Sequence, residues 1–324
     1  MSMAKAASAQ SATKFKAKPK KSEFQRQQTR WGWLFLMPWL IGFFLFQLTP
    51  ILFTIFLSFT NYKGTSEFKF GNFDFVGFAN YLHFFEDPLV LPSMGVTLKF
   101  ALIGIPLGLV VPLAFAVLVN SKNLLAPSVF RTLFFLPTVI PVVAGAIIFN
   151  GVLNSQSGWI NLGLKALGVE NPPRWFGDPL WAGFALNLLA IWAVGNAMII
   201  LLAGLQGVPT ELFEAATIDG ANYWQRFWSI TIPMISPVIF YNVTLGVIFA
   251  FQYFVPALLI GGRNGDPQGS LLFFPLHFYR QAFVFSDMGY AAVLALVIFV
   301  VTMLAAALLF FFGQRLVYYA GEKS

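Results

Sequence analysis

Two histidines and no cysteine are all the imidazole and thiol chemistry available to this 324-residue chain. His83 and His277 fall in no spacing that would ligate a metal or activate a nucleophile, so both read as surface or structural residues. No catalytic and no metal-ligating residue is assigned. The sequence contains no G-x-x-x-x-G-K-S/T loop to cradle a phosphate, so ATP hydrolysis is not expected of this chain and no cofactor of its own is assigned. The polar groups that stand out are uncharged amides in apolar surroundings: Asn187, Asn196, Asn242 and Gln252. Such a group can take the hydroxyls of a polar solute, or it can tie helices together for about 0.6 kcal/mol or slightly more. Both readings stand at this point.

One polar segment, 206–233, has its own grammar. Thr210 is placed to cap a helix running through Leu212, Phe213, Glu214, Ala215 and Ala216. That helix should stop at Asp219-Gly220, because glycine takes the left-handed conformation without penalty. Asn222 with Gln225 three residues on reads as a capping box opening a second helix, which bears Tyr223, Trp224, Phe227 and Trp228. Pro233 is expected to end it. Two short aromatic helices joined by an elbow make a docking knob for a partner.

The elements that position these residues follow from composition. Hydrophobic residues make up 58% of the chain and charged residues only 10%, too few to give a soluble domain a polar surface, which carries roughly 25%. Six apolar stretches reach the ~20 residues of a membrane span: Trp33–Phe59, Thr97–Leu118, Thr132–Leu153, Trp181–Leu205, Val238–Ile260 and Ala291–Phe312. Their length and low charge indicate helices rather than barrel strands. The fold class is all-α, a polytopic membrane protein of six transmembrane helices. Gly104 and Gly108 form G-x-x-x-G in the second, read as helix packing, with Pro106 as a kink.

The net charge of +7 is no nucleic-acid signature, because its distribution is topological. Eight of the twenty Lys and Arg lie in the first thirty residues: Lys5, Lys14, Lys16, Lys18, Lys20, Lys21, Arg26 and Arg30. This holds the N-terminus in the cytoplasm. Six spans return the C-terminus to the same side, with Lys122, Arg131, Arg226, Arg315 and Lys323 also inside. The organisation is a disordered basic tail over 1–28 and a permease domain over 29–320. The first apolar stretch is too long for a signal-peptide core. No ionisable side chain occupies a span interior and no broken span is apparent, which argues against a proton- or ion-coupled carrier and for a neutral solute with an external energy source.

The segment 206–233 carries a family signature. Glu214-Ala215-Ala216, Asp219-Gly220-Ala221 and Ile230-Thr231-Ile232-Pro233 resemble the EAA loop of permease subunits in binding-protein-dependent ABC importers, with Ile232 where leucine is usual. Phe75-Val76-Gly77 with Asn80-Tyr81, Phe134-Phe135-Leu136-Pro137, Gly204-Leu205-Gln206 and Met288-Gly289-Tyr290-Ala291 are similar to the carbohydrate-importing members of the maltose and glycerol-phosphate type. Gly261-Gly262-Arg263 departs from the family's Gly-Gly-Pro. The resemblance implies that Glu214, Ala215, Ala216, Asp219, Gly220, Ala221 and Pro233 couple the spans to a separate ATPase. It also implies two sugar-facing rows, Leu189, Trp192, Ala193 and Asn196 on one helix and Gly246, Phe249, Ala250 and Tyr253 on another, the second extended by Asn242. Each row follows i, i+3, i+4, i+7. In this reading Trp192 and Tyr253 are stacking platforms, while Asn196 and Asn242 bond sugar hydroxyls.

The implied partners are a second permease chain, two ATP-binding subunits that hold ATP and magnesium, an extracytoplasmic solute-binding protein and a carbohydrate, in the plasma membrane of a bacterium or archaeon. No nucleic acid is expected. An ion-coupled carrier working without an ATPase is the alternative.

Overall fold

The computed structural model describes residues 23–65, 69, 71, 73–121, 123–313 and 317–318, with backbone alone at 25 and 26. Lys5, Lys14, Lys16, Lys18, Lys20 and Lys21 of the basic tail, together with Lys122, Arg315 and Lys323, lie outside the described residues. In chain order the helices are α1 (Glu23–Gly42), α2 (Thr49–Leu57), α3 (Ala79–Glu86), α4 (Val90–Val119), α5 (Pro127–Val139), α6 (Val142–Val152), α7 (Trp159–Ala166), α8 (Pro179–Trp192), α9 (Gly195–Gln206), α10 (Thr210–Ile218), α11 (Tyr223–Arg226), α12 (Ile232–Met234), α13 (Ser236–Gln252), α14 (Val255–Gly261), α15 (Phe274–Tyr279) and α16 (Met288–Gly313). Among the described residues, extended pairing is limited to the isolated bridges Thr60–Phe75 and Lys63–Asp287.

Backbone contacts divide the chain between Phe53 and Thr54, inside α2. In the first unit, α1 runs through a π-helical turn, Phe43–Leu48, into α2. The turn sits where Pro50 removes a backbone donor, and Thr49 Oγ1 bonds the Phe44 carbonyl at 2.7 Å. Phe35, Trp39 and Phe46 are well exposed, as suits a helix solvated by lipid or by another chain.

The second unit holds the remaining helices. By length and hydropathy, residues 27–57, α4 and α16 can each cross a membrane unbroken. The bent pairs α5–α6, α8–α9 and the α11–α12 segment with α13 pass the same test together, which makes up to six spans. The expectation of unbroken spans is therefore corrected. The third stretch, Thr132–Leu153, bends by 102° at Ile140-Pro141. Pro141 has no N–H to donate to the Pro137 carbonyl, and it drives Ile140 into the extended region. The fourth bends by 52° at Ala193-Val194 with no proline to announce it. The fifth is not continuous to Ile260: α13 ends at Gln252, because Pro256 cannot donate to that carbonyl, and α14 is a separate short helix. Absence of broken helices thus gives no argument against an ion-coupled carrier.

Packing explains why the bends hold. A Cβ on Gly195, the first residue of α9, would lie 2.7 Å from the Phe134 carbonyl oxygen and from the Phe135 Cα, so α9 rests directly on the backbone of α5. A Cβ on Gly104 would likewise lie 2.7 Å from the buried Asn187 side-chain oxygen, whereas one on Gly108 would meet nothing within 4 Å. Only one glycine of the G-x-x-x-G pair therefore serves packing. One core cluster joins α4, α8, α13 and α15 through Phe100, Leu186, Ala250, Phe273 and Leu276. A second joins the end of α4 to α9 through Ala116, Met198, Leu201 and Ile235.

At the far end from α10, side chains knit the loops. Asn80 Nδ2 donates to the Ser58 and Thr60 carbonyls at 2.9 and 2.8 Å, and Tyr81 shares a 2.8 Å bond with Ser58. Gly289 donates to the Tyr62 carbonyl at 3.1 Å, and Lys63 pairs with Asp287.

Candidate functional site: an uncharged cavity and an elbowed loop

A cavity of about 540 Å3 opens where the α5–α6 and α8–α9 bends face α4 and α13. All nine residues of the two sequence rows line it: Leu189, Trp192, Ala193, Asn196, Asn242, Gly246, Phe249, Ala250 and Tyr253. The opposite wall comes from Phe100, Gly104, Ile105 and Gly108 of α4, with Pro137, Thr138 and Ile140 at the α5–α6 bend. None of the lining residues is ionisable as an acid or base near neutral pH. Its volume falls within the ~300–1,000 Å3 typical of small-molecule sites.

The chemistry on offer is sparse hydrogen bonding between apolar walls. Asn196 is exposed to the cavity. Asn242 is buried and spends its Nδ2 on the Val238 carbonyl of its own helix at 2.9 Å. Tyr253 differs from the sequence reading. Its ring stacks on Phe100 at 4.4 Å and 20°, meets Phe249 edge-on at 5.4 Å and packs on Phe273, leaving 5% exposure. A ring so enclosed cannot serve as a platform for a solute. What Tyr253 offers is its hydroxyl, buried without a hydrogen-bond partner. Trp192 is half-buried, packs on Phe149 at 5.3 Å, and separates this cavity from an apolar groove behind it. Asn187 faces Gly104 and bonds the Gly183 carbonyl, so it acts in packing. Gln252 is exposed at the end of α13 and does not line the cavity.

At the opposite end of α9 stands the elbow. Pro209 occupies the cap of α10 and Thr210 is its first helical residue with no side-chain cap bond, so Thr210 does not cap as expected. α10 ends as the sequence dictates: Gly220 has φ +79°, and Asp219, Gly220 and Ala221 donate to Ala215, Thr217 and Ala216 carbonyls at 3.0, 3.1 and 2.9 Å. Asn222 and Gln225 form the capping box, at 2.7 and 3.0 Å. Pro233 does not end the second arm. The helical path runs through a π turn, Phe227–Thr231, and on to Met234, then bends by 68° at Ile235. The proline that breaks the ladder is Pro237, and Ser236 Oγ takes the freed Pro233 carbonyl at 2.7 Å.

Glu214, Ala215, Asp219 and Gly220 are exposed, while Ala216, Ala221 and Pro233 are half-buried. Phe213 and Ile230 root the loop in the core cluster of α4 and α9. A tie that the sequence reading missed crosses the elbow: Arg226 Nη1 donates to Thr217 Oγ1 at 2.7 Å, and that hydroxyl donates to the Phe213 carbonyl at 2.7 Å. Its only sequence trace is an arginine on the second arm within reach of a hydroxyl on the first.

A second missed constellation lies away from the cavity. His277 is fully buried and shares a 2.8 Å bond with Asp87, which also accepts from Tyr290 Oη at 2.7 Å and from the Leu89 N–H at 2.8 Å. Burial pushes the Asp87 carboxyl up, but bonds from Leu89, Tyr290 and His277 outweigh it and hold the group below its ordinary value. Burial lowers the His277 pKa, and Asp87 offsets this only in part. His277 is therefore structural, joining α15 to the α3–α4 junction.

The helical fold matches a solved structure. One chain of a bacterial ABC transporter involved in import of the acidic polysaccharide alginate superposes with a TM-score of 0.75 at 20% identity, covering 92% of this chain and 100% of that one. The two chains share a fold. Residues 104–318 match the family described as binding-protein-dependent transport system inner membrane component, and the chain belongs to it. It is 35% identical to the probable ABC transporter permease protein YesP of Bacillus subtilis over 94% of its length and 97% of that protein's. It is 31% identical to the lactose transport system permease protein LacF of Rhizobium radiobacter, covering 86% and 93%. It is 30% identical to the trehalose/maltose transport system permease protein MalF of Thermococcus litoralis, covering 87% and 93%.

Proposed function

We propose that this chain is one permease of an ATP-driven importer for an uncharged saccharide, working by alternating access in the plasma membrane of a bacterium or archaeon. The observation that carries the reading is the convergence of nine positions from the α8–α9 pair and α13 on one cavity with no charged side chain. A charged solute in this low-dielectric setting would find no counter-charge, and its desolvation would go uncompensated. An uncharged polyol needs only the amides of Asn196 and Asn242, the Tyr253 hydroxyl and an apolar wall. Relatives named for lactose, trehalose/maltose and arabinooligosaccharide transport support a saccharide.

In this reading both termini are cytoplasmic and six spans cross the bilayer. The chain itself binds no cofactor. The elbow at Gly220 docks on an ATP-binding subunit, one of two, that binds ATP and magnesium. Glu214, Ala215, Ala216, Asp219, Ala221 and Pro233 shape that contact, and a second permease and an extracytoplasmic binding protein complete the assembly. A fold neighbour solved with an oligosaccharide-bound periplasmic protein supports the last partner. The broken spans would also suit an ion-coupled carrier, but that reading leaves the elbow unused and supplies no ionisable group in the cavity.

The test is uptake of labelled lactose, maltose, arabino-oligosaccharide and alginate oligosaccharide by cells lacking and regaining this gene, with and without active ATP-binding subunits. Restoration of uptake of one neutral saccharide, dependent on the ATPase, is the expected result. Uptake that survives loss of the ATPase and follows the proton or sodium gradient would overturn it.

A further inference from the structure

The loop between α6 and α8 carries a surface that neither the cavity nor the elbow uses. Its short helix α7 is pinned by one face. Asn161 is fully buried, donates from Nδ2 to the Ser155 and Pro173 carbonyls at 3.1 and 3.0 Å, and accepts from Trp175 Nε1 at 2.7 Å. Leu164 packs beside it on Leu153, Trp175 and Ala185, so α7 is fastened to the ends of α6 and α8.

The opposite face is bare and apolar. Trp159, Ile160, Leu162 and the adjoining Leu167 are 78%, 43%, 49% and 84% exposed. With Gly163 and Ala166 they fill an arc of roughly 160° at 3.6 residues per turn, with no polar side chain inside it. Lys165, the only charge on the helix, sits beyond the margin of that arc. Ile160 also forms part of a mainly apolar groove of about 460 Å3, walled by Phe149 and Val152 of α6 and Leu188 of α8. Through Ile160 the bare face of α7 is thus continuous with an apolar groove on two helices that belong to candidate membrane spans, beside the end of α6. A tryptophan within the apolar face and a lysine on its polar flank are the residue types of helices that settle at the lipid headgroups.

We infer that α7 lies in the membrane plane with this face sunk into the headgroup–acyl boundary, so that its partner is phospholipid. It steadies the ends of α6 and α8, the two helices that flank the bends beneath the cavity. Assignment to the outer leaflet rests on the orientation proposed above; contact with lipid does not.

Because the chain has no cysteine, Leu162→Cys and Leu167→Cys each give a single labelling site. The full chain, nitroxide-labelled at either position and reconstituted in phosphatidylethanolamine–phosphatidylglycerol vesicles with its companion subunits, is expected to collide with oxygen several-fold more than with a water-soluble nickel chelate. Brominated lipids should quench wild-type fluorescence more than that of Trp159→Phe. Dominant collision with the chelate would mean a face open to water. Protection from both reagents would mean a protein cover, from the second permease or the binding protein. Either result overturns the inference, and neither bears on whether the chain imports a saccharide.

Discussion

Replacing Gly220 grades the elbow without touching its surroundings. Its φ of +79° lies in the left-handed region, and a Cβ there would meet nothing within 4 Å. The cost of Gly220→Ala is therefore conformational alone, about 1–2 kcal/mol. That is a factor of roughly 5–30 in the balance between the observed elbow and any other path of the chain. Gly220→Asn should fall between glycine and alanine, since asparagine tolerates this conformation better. Gly220→Pro fixes φ near −65° and deletes the N–H that bonds Thr217 at 3.1 Å, a loss of about 3 kcal/mol or more. If the elbow transmits the ATPase stroke, saccharide taken up per ATP hydrolysed should fall in the order Gly, Asn, Ala, Pro. The assay is uptake and phosphate release in proteoliposomes of the full complex, normalised to the amount of this chain. Gly269, at φ +73° and equally free of neighbours, is the control: Gly269→Ala carries the same local strain in another loop and should leave the ratio unchanged. A wild-type ratio in Gly220→Pro, or an equal fall in Gly269→Ala, would refute the reasoning.

Three further outcomes follow from the geometry. Thr217→Val removes the acceptor for Arg226 while keeping the shape; an exposed bond worth about 0.5–1.5 kcal/mol at most should lower uptake per ATP less than Gly220→Pro does, with Thr217→Ser restoring it. Equal ratios in the Val and Ser variants would remove the tie from the coupling path. Tyr253→Phe deletes only the unpartnered hydroxyl, so apparent saccharide affinity should weaken roughly two- to tenfold if that group bonds the solute, and unaltered affinity would take Tyr253 out of the path. For the Asp87–His277 pair, both folded pKa values lie below the unfolded ones, so each group's stability is present above its unfolded value and is lost on acidification. His277 gives way first, as pH falls below about 6.5, and Asp87 below about 3.8. Asp87→Asn removes the carboxylate that props up the His277 pKa, so it should destabilise the detergent-solubilised chain by about 1–3 kcal/mol near pH 7 and steepen the decline of Tm as pH falls below about 6.5. An acid slope in that range no steeper than wild type would contradict this.

The elbow was legible because its causes are local. Gly220, the Asn222–Gln225 box and the two aromatic arms are specified by residues within a turn or two of one another. The sequence erred there only where two candidates competed for one role, Pro209 against Thr210 for the cap and Pro237 against Pro233 for the break. The nine cavity positions could be named because the resemblance to maltose-type permeases implied them and their spacing set each row on one helix face, yet spacing says nothing of what covers that face. Phe100 reaches Tyr253 from another span and turns a supposed platform into a buried hydroxyl. Asp87 meets His277 across most of the chain, with no local signal in either neighbourhood.

Composition and hydropathy by themselves determined an all-helical membrane chain, because burying backbone in lipid leaves few other solutions. Short-range hydrogen bonding determined the elbow. Prolines mark three of the breaks, but only the tertiary structure decided where the fourth span bends, since the bend at Ala193-Val194 answers to the contact of Gly195 with the α5 backbone rather than to any residue's own preference. The cavity lies between α4, α13 and the α5–α6 and α8–α9 bends, so its walls depend on contacts between segments far apart in the chain.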